Sequence, residues 1–593
     1  MKKILLSLCF LLGLNTGLTT ASYGSPLVHA TQMEVKNAYK GMFSVITYNQ
    51  EGNILHSGYG FFIHENGTGV AAYSLFKEAY KAVVVDYKGN QLPVKRILGA
   101  NSTYDLVKFS TAGDKKVEAF SIATNAQASV GDNLQMVLYT GKQKSKPIPA
   151  NVETADDFES YHYYKLSVEN QEKNFGCPLL DPTGDVVAIL QKNVEENAEK
   201  ACAIDARFVH QLNISNTSIL NSDLNNINIS KGLPATEKDA LTYIYMLGTK
   251  DSVTAMNAIN DFIEAYPKNA EGYTQRGTIF AQHGDYARCQ EDFNTALEVV
   301  EKNQSTIKAD EIHNNLSKLI YNKAVFNPQS SYKEWTLDLA IDEANTAFQL
   351  NPSPFYLQQQ AHCYLAKKEY LTAYEYYKRI NSEKFSHHAE WSPHAKAESW
   401  IFAARAYELH MQAQTSGTTL QDSLEIITLL DSAIAALPQP FMLDDAKLFL
   451  ERAQRNEAVE QFRKAVMDYY EYEKIIGPKN LNDRFYYLRE QAEMKCHMYQ
   501  QALDDINTAI AFNPQDPFYP VEKGIILLQV GMYEEAIAVC KASLEKLPEN
   551  PDCYKIIGIS YGELKQKKEA LKNLKKAQEL GDPTVQIFID KYQ

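Results

Sequence analysis

Thirteen histidines, eight cysteines and 73 carboxylates give this chain of 593 residues its reactive groups, but few of them stand at spacings that do chemistry. Cys177 with an imidazole from His56 or His64 would make a thiol nucleophile and its base. Ser74 and Asp105 would offer a hydroxyl and a carboxylate able to orient it. His387, His388, Glu390 and His394 crowd one short stretch, yet its i, i+4 ligand pair, Glu390 and His394, is interrupted by Pro393, which a helix interior does not accept. That stretch reads as a solvated loop or helix start. There is no Cys-x-x-Cys pair and no His-Glu-x-x-His run, and Gly58-Tyr59-Gly60 lacks the remainder of a dinucleotide fingerprint. No metal and no cofactor is expected.

Two kinds of element must position these groups. From Gln32 to Leu212 short alternating runs such as Phe43–Tyr48, Gly60–Ile63, Lys81–Asp86 and Val186–Leu190 are punctuated by turns, among them Glu65-Asn66-Gly67, Lys88-Gly89-Asn90 and Pro182-Thr183-Gly184-Asp185. Many short strands with turn signals predict a sandwich or barrel over 32–212. From about Thr236 to the end the period becomes helical. Between them Gln211–Lys231, rich in Asn, Ser and Ile, reads as a linker, placed at 213–235.

Within 236–593 the chain repeats itself. Ala502, Ala536 and Ala570 share one phase of a 34-residue period, and Tyr499/Tyr533, Pro514/Pro548 and Gly524/Gly558 share others. That period is the signature of the tetratricopeptide repeat, in which two antiparallel helices cross where small residues let the backbones meet. Tyr273, Gly277, Phe280, Gly284, Tyr286, Cys289, Phe293 and Ala296 fit the same template at 270–303. Leu357, Ala361, Tyr364, Tyr370, Ala373 and Tyr377 recover it once inside 304–479, where the phase otherwise drifts. Roughly eight or nine helix pairs closed by a short cap at 583–593 would form an all-α solenoid. The resemblance implies a groove facing Arg484, Tyr487 and Gln491, then Phe518, Val521 and Ile525, then Lys555 and Ile559, suited to an extended peptide of acidic or C-terminal carboxylate character.

The N-terminal segments follow the order of the trypsin-like peptidases, particularly the HtrA-like bacterial branch. Gly58-Tyr59-Gly60-Phe61-Phe62-Ile63, Asn66-Gly67, and Ala71-Ala72-Tyr73-Ser74-Leu75 stand where that family has Gly-Ser-Gly-Phe, Asp-Gly and Thr-Asn-x-His-Val. The histidine slot is therefore Ser74. Tyr104-Asp105-Leu106-Val107 keeps the aspartate slot, and Lys173-Asn174-Phe175-Gly176-Cys177-Pro178-Leu179 replaces the Gly-Asn-Ser-Gly-Gly-Pro-Leu nucleophile loop, so the serine slot is Phe175. The resemblance implies a double β-barrel of trypsin-like type without the chemistry: Phe175 has no nucleophile, Ser74 is no base near neutral pH, and Lys173 stands where a glycine amide would help form the oxyanion hole. Cys177, two residues past the nucleophile slot, is expected to face away from the catalytic side, and His56 and His64 to lie on the surface.

Composition narrows the rest. A net charge of −14 argues against a nucleic-acid binder, and 45% hydrophobic residues with 37 tyrosines argue against a disordered acidic chain. Met1-Lys2-Lys3 followed by an apolar run to Leu14 and small residues at Thr19-Thr20-Ala21 reads as a secretory signal peptide over 1–21, with Ala30 an alternative cleavage point. No other run reaches transmembrane length. Seven cysteines remain, and Cys177 and Cys202, on neighbouring strand candidates, are the disulfide candidate. The expected function is a periplasmic or envelope-associated, non-catalytic scaffold that binds protein or peptide partners. The rivals are an endopeptidase with a rearranged serine or cysteine centre, its substrates recruited by the repeats, and a structural subunit of an envelope complex.

Overall fold

The computed structural model describes residues 35–593 apart from 114–115, 142, 144–145, 193–198, 249–251, 303–305, 382–384, 386–390, 415–416 and 418. The signal peptide, both of its cleavage points, His387, His388 and Glu390 lie outside the described residues. Two compact units are present, one running through Ile279 and one beginning at Phe280.

In the first unit β1 (Met42–Tyr48), β2 (Ile54–His64), β3 (Thr68–Ala71), β4 (Lys81–Asp86), β5 (Gln91–Asn101) and β6 (Leu106–Thr111) close a barrel in the order β1-β2-β3-β6-β5-β4. A second barrel, from β7 (Asn133–Met136), β8 (Ile148–Phe158), β9 (Tyr161–Glu169), β10 (Pro178–Leu180), β11 (Val186–Gln191) and β12 (Lys200–Asp205), closes in the corresponding order β7-β8-β9-β12-β11-β10. Closure leaves no strand edge open. This is the expected double barrel of trypsin-like type, and an all-α region follows it.

Period-two alternation fills the first barrel. Phe43, Val45 and Thr47 of β1 point inward, and the ring of Phe43 meets Phe62 at 4.7 Å and Phe109 at 5.8 Å between centroids. Gly60 and Gly69 make room for that ring, since a Cβ on either would press on it. The second barrel is lined by β11, buried along its whole length, and by Tyr164, Leu166, Leu179 and Leu180. Each such side chain removed from water contributes about 1.5–3 kcal/mol.

The expected linker is not a tether. Ile214, Ile219, Leu224, Ile227 and Ile229 are buried in the core of the first barrel. The backbone is stitched as well: Glu78 N–H donates to Asn226 O at 2.6 Å, Ile97 N–H to Ser230 O at 2.8 Å, and Gly232 N–H to Ile97 O at 2.8 Å. Buried Ile97 thus finds its amide partner outside its own strand pairing. Tyr243, Ile244, Ala255, Ile259 and Phe262, from helices Glu237–Gly248 and Ser252–Ala265, extend the same core. Arg96 of β5 holds Asp261 with a two-pronged ion pair, at 2.6 and 2.8 Å. The polar composition of 211–231 concealed isoleucines spaced irregularly enough to escape any period.

The second unit is built from antiparallel helix pairs. Asp483–Lys495 packs on Tyr499–Phe512, Tyr519–Gln529 on Tyr533–Lys546, and Pro551–Glu563 on Lys567–Glu579. Their second helices begin 34 residues apart, each after a left-handed residue: His497, Gly531 or Lys565. The following amide reaches back over the turn, from Met498 to Glu493 O, Met532 to Leu527 O and Gln566 to Tyr561 O, at 2.8–2.9 Å. This satisfies a carbonyl that the helix end leaves open. Gly284, Lys368 and Glu460 are left-handed too, with the same bonds from Asp285, Glu369 and Gln461. The turn therefore also marks the pair Ala446–Ala458 and Phe462–Ile476, which the drifting phase had hidden. At the end Val585, Ile589 and Tyr592 cover Ala570, Leu574 and Ala577.

Candidate functional site

The first candidate is the set Ser74, Asp105 and Phe175 to which the peptidase resemblance points. Ser74 lies on the 3-10 turn Tyr73–Leu75 after β3, and Asp105 immediately precedes β6 in a left-handed conformation (φ 45°). The two meet. Ser74 N–H donates to Asp105 Oδ1 at 2.7 Å and its hydroxyl to Oδ2 at 3.2 Å, so the aspartate fixes the orientation of the serine. Burial raises the pKa of Asp105, while the two bonds from Ser74 pull it back down. A hydroxyl bonded in this way holds its proton and takes none.

The loop bearing Phe175 is folded onto itself. Glu172–Asn174 form a 3-10 turn, Phe175 N–H donates to Glu172 O at 3.1 Å, and Asn174 N–H donates to Gln171 O at 2.9 Å. The Phe175 amide, engaged in this way, is not a free donor for an oxyanion. The Phe175 ring packs against the core of the second barrel. Gly176 adopts φ 82° with its backbone against Tyr59 O, a place where a Cβ would be only 2.6 Å from that oxygen.

Cys177 is wholly buried, and its burial pushes the thiol pKa up to about 12. That is the reverse of what a thiolate nucleophile needs. His56 and His64 are exposed, and His64 Nδ1 accepts from the Asn66 amide in the adjoining turn. The disulfide candidate is corrected: Cys177 and Cys202 are both buried and are not bonded to each other, and Cys202 sits instead beside the hydroxyl of Tyr163. Cys177 precedes β10 and Cys202 lies on β12, and β11 runs between those two strands, so the cysteines are not on neighbouring strands as expected.

The second candidate is a groove of about 460 Å³ on the second unit, lined by Ile525, Leu528, Tyr533, Lys555, Ile556 and Ile559, with Phe588 of the closing helix among its walls. Ile525, Lys555 and Ile559 were expected there. Val521, also expected, is buried in the core beneath, with 5% exposure, and is no contact residue. Phe518 stands out in solvent, 61% exposed, and Arg484 is exposed too. Tyr487 lies against Tyr519, ring centroids 5.4 Å apart, and Gln491 donates to Glu490 at 2.7 Å.

Lys555 is less available to an acidic peptide than expected. Its ammonium is held by Asp582 at 3.1 Å and by the Thr584 hydroxyl at 2.6 Å. An ammonium already paired offers a ligand carboxylate little.

Sequence reasoning also missed the buried charges of the pair 483–512. Arg489 is bonded to Asp505 at 2.6 and 2.8 Å and to Glu473 at 2.6 Å. Arg452 repeats the arrangement with Asp468 and Asp431. The 16-residue step from arginine to aspartate in both pairs was readable in the sequence, but not as a buried ion pair. Among the described residues no group of three or more His, Cys, Asp or Glu is arranged to hold a metal, and no helix is long and apolar enough to cross a membrane.

No protein-family model matches the chain, and no curated protein does. Among solved structures it is similar to a serine endoprotease from Yersinia pestis, at 16% identity and a TM-score of 0.26, over 30% of this chain and 62% of that one. The match thus spans less than two thirds of that protein.

Proposed function

We propose that this chain is a secreted, non-catalytic adaptor. It holds a protein or peptide partner in the groove of a tetratricopeptide solenoid and carries a pseudoprotease domain of HtrA-like descent as a second recognition surface. The observation that carries the reading is the 460 Å³ apolar groove, on which Ile525, Lys555 and Ile559 converge from two successive helix pairs. The 34-residue recurrence of left-handed turns supports the repeat assignment. Phe175 in the nucleophile slot, Ser74 bonded to Asp105, and amides turned inward support the absence of proteolysis. The signal-like pattern of residues 1–21 supports a periplasmic or envelope location.

Two experiments test this. Purified protein is expected to leave denatured casein intact and to remain unlabelled by an active-site fluorophosphonate; turnover lost on Asp105→Asn or Cys177→Ala would make it a peptidase with a rearranged centre. Partner capture from envelope extract is expected to weaken when Ile525 and Ile559 are changed to Asp. Capture lost only through substitutions on the barrels would transfer the site to the degenerate cleft.

A further inference from the structure

The charge around the groove specifies its occupant. Gln491 Nε2 lies between two carboxylates, 2.7 Å from Glu490 Oε2 and 3.4 Å from Glu522 Oε2. Glu490 is wholly buried and its Oε1 has no hydrogen-bond partner. It stands 34 residues before Gly524 and 68 before Gly558, so a carboxylate occupies the crossing position that glycine serves in the next two pairs. Asp552, exposed in the first turn of Pro551–Glu563, repels Glu522 from the other side. Glu490, Glu522 and Asp552 thus form a row across three helix pairs, ending in the wall of the apolar groove.

The nearby cations are committed elsewhere. Arg489 is held by Asp505 and Glu473, Lys555 by Asp582, and Lys591 by Glu563 at 2.6 Å. Two accessible carboxylates, Glu522 and Asp552, that raise each other's charge cost without a counter-ion are relieved by an arriving guanidinium or ammonium. Resting on the reading that the groove binds peptide, we propose that its occupant is a basic-apolar peptide. A bulky aliphatic or aromatic side chain seats among Ile525, Leu528, Ile556 and Ile559, and an arginine or lysine a few residues away is held by Glu522 and Asp552.

Panning a random peptide library on the full chain reads this directly. The expected result is enrichment of Lys or Arg beside Leu, Phe or Trp, abolished by Ile559→Asp and reversed in charge by Glu522→Lys with Asp552→Lys. A labelled Leu/Phe peptide carrying lysines is expected to bind at least about tenfold tighter than its glutamate counterpart at low salt, with the ratio falling at high salt. Apolar enrichment without charge bias, or with acidic residues, overturns the inference and leaves the groove reading intact. Enrichment that survives Ile559→Asp, or no enrichment at all, overturns both. Asp552→Asn, an exposed and nearly isosteric change, repeats the charge test should the double reversal melt early.

Discussion

Glu490 has a pKa pushed up to about 8, chiefly by burial and then by Glu522, Glu493 and Asp505 around it, against the help of Gln491. Because the folded value lies above that of the unfolded chain, its stabilising share is fully present below the ordinary carboxylate range and is lost as pH rises through about 8. Glu490→Gln, which cannot ionise, is therefore expected to raise the Tm by roughly 2–4 °C at pH 8 and to change it little at pH 4.5. Equal gains at both pH values would show packing, not charge, to be the cause. Arg489 is the converse case: its side chain is 4% exposed and saturated by carboxylates. Arg489→Ala should cost about 3–5 kcal/mol in denaturant titration, as removal of one member of a buried pair does. Residues of this kind were only half legible. The meeting of Ser74 with Asp105 could be anticipated because the surrounding framework Gly58-Tyr59-Gly60-Phe61 and Tyr104-Asp105-Leu106 keeps its spacing. The inward turn of the Phe175 amide, and the capture of Lys555 by Asp582, depend on backbone direction and on a side chain 27 residues away, which no local pattern encodes.

At the scale of the element, the left-handed turn separates the pairs into two kinds. Gly531 and Gly284 adopt it without a Cβ, whereas His497, Lys565, Lys368 and Glu460 adopt it against the preference of L-residues. Lys565→Gly is expected to stabilise the terminal pair by about 0.5–1 kcal/mol, and Gly531→Ala to cost about 1 kcal/mol; thermal melts of the two variants should move in opposite directions. The period itself was readable where helices keep one length, as in 483–582. It was lost where Pro393–Ala413 runs to 21 residues and Leu420–Ala436 to 17, because longer helices shift the phase without changing the way pairs pack.

For the whole molecule, the division falls later than composition indicates, because 213–235 belongs to the first barrel's core and brings the helices after it along. A fragment ending at Leu212 would leave Ile97 N–H without Ser230 O and Arg96 without Asp261, and would expose apolar surface that Ile219, Ile227 and Phe262 cover. Such a fragment is expected to melt at least about 5 °C below one ending at Gln282, or to aggregate. Light trypsin treatment of the intact chain should spare Lys231, whose ammonium is tied to the carbonyls of Ile227 and Ile229; early cleavage there would revive the linker.

The Ile97–Ser230 bond also orders events in time. Synthesis delivers β1–β6 first, yet the amide of Ile97 must wait until the chain has passed Ser230, by which point every strand of the second barrel, ending at Asp205, has already emerged. The barrel encoded first is therefore the one finished last. During synthesis the opening strands therefore stay unsealed for longer than the strands behind them, and that interval is when such surfaces are open to aggregation.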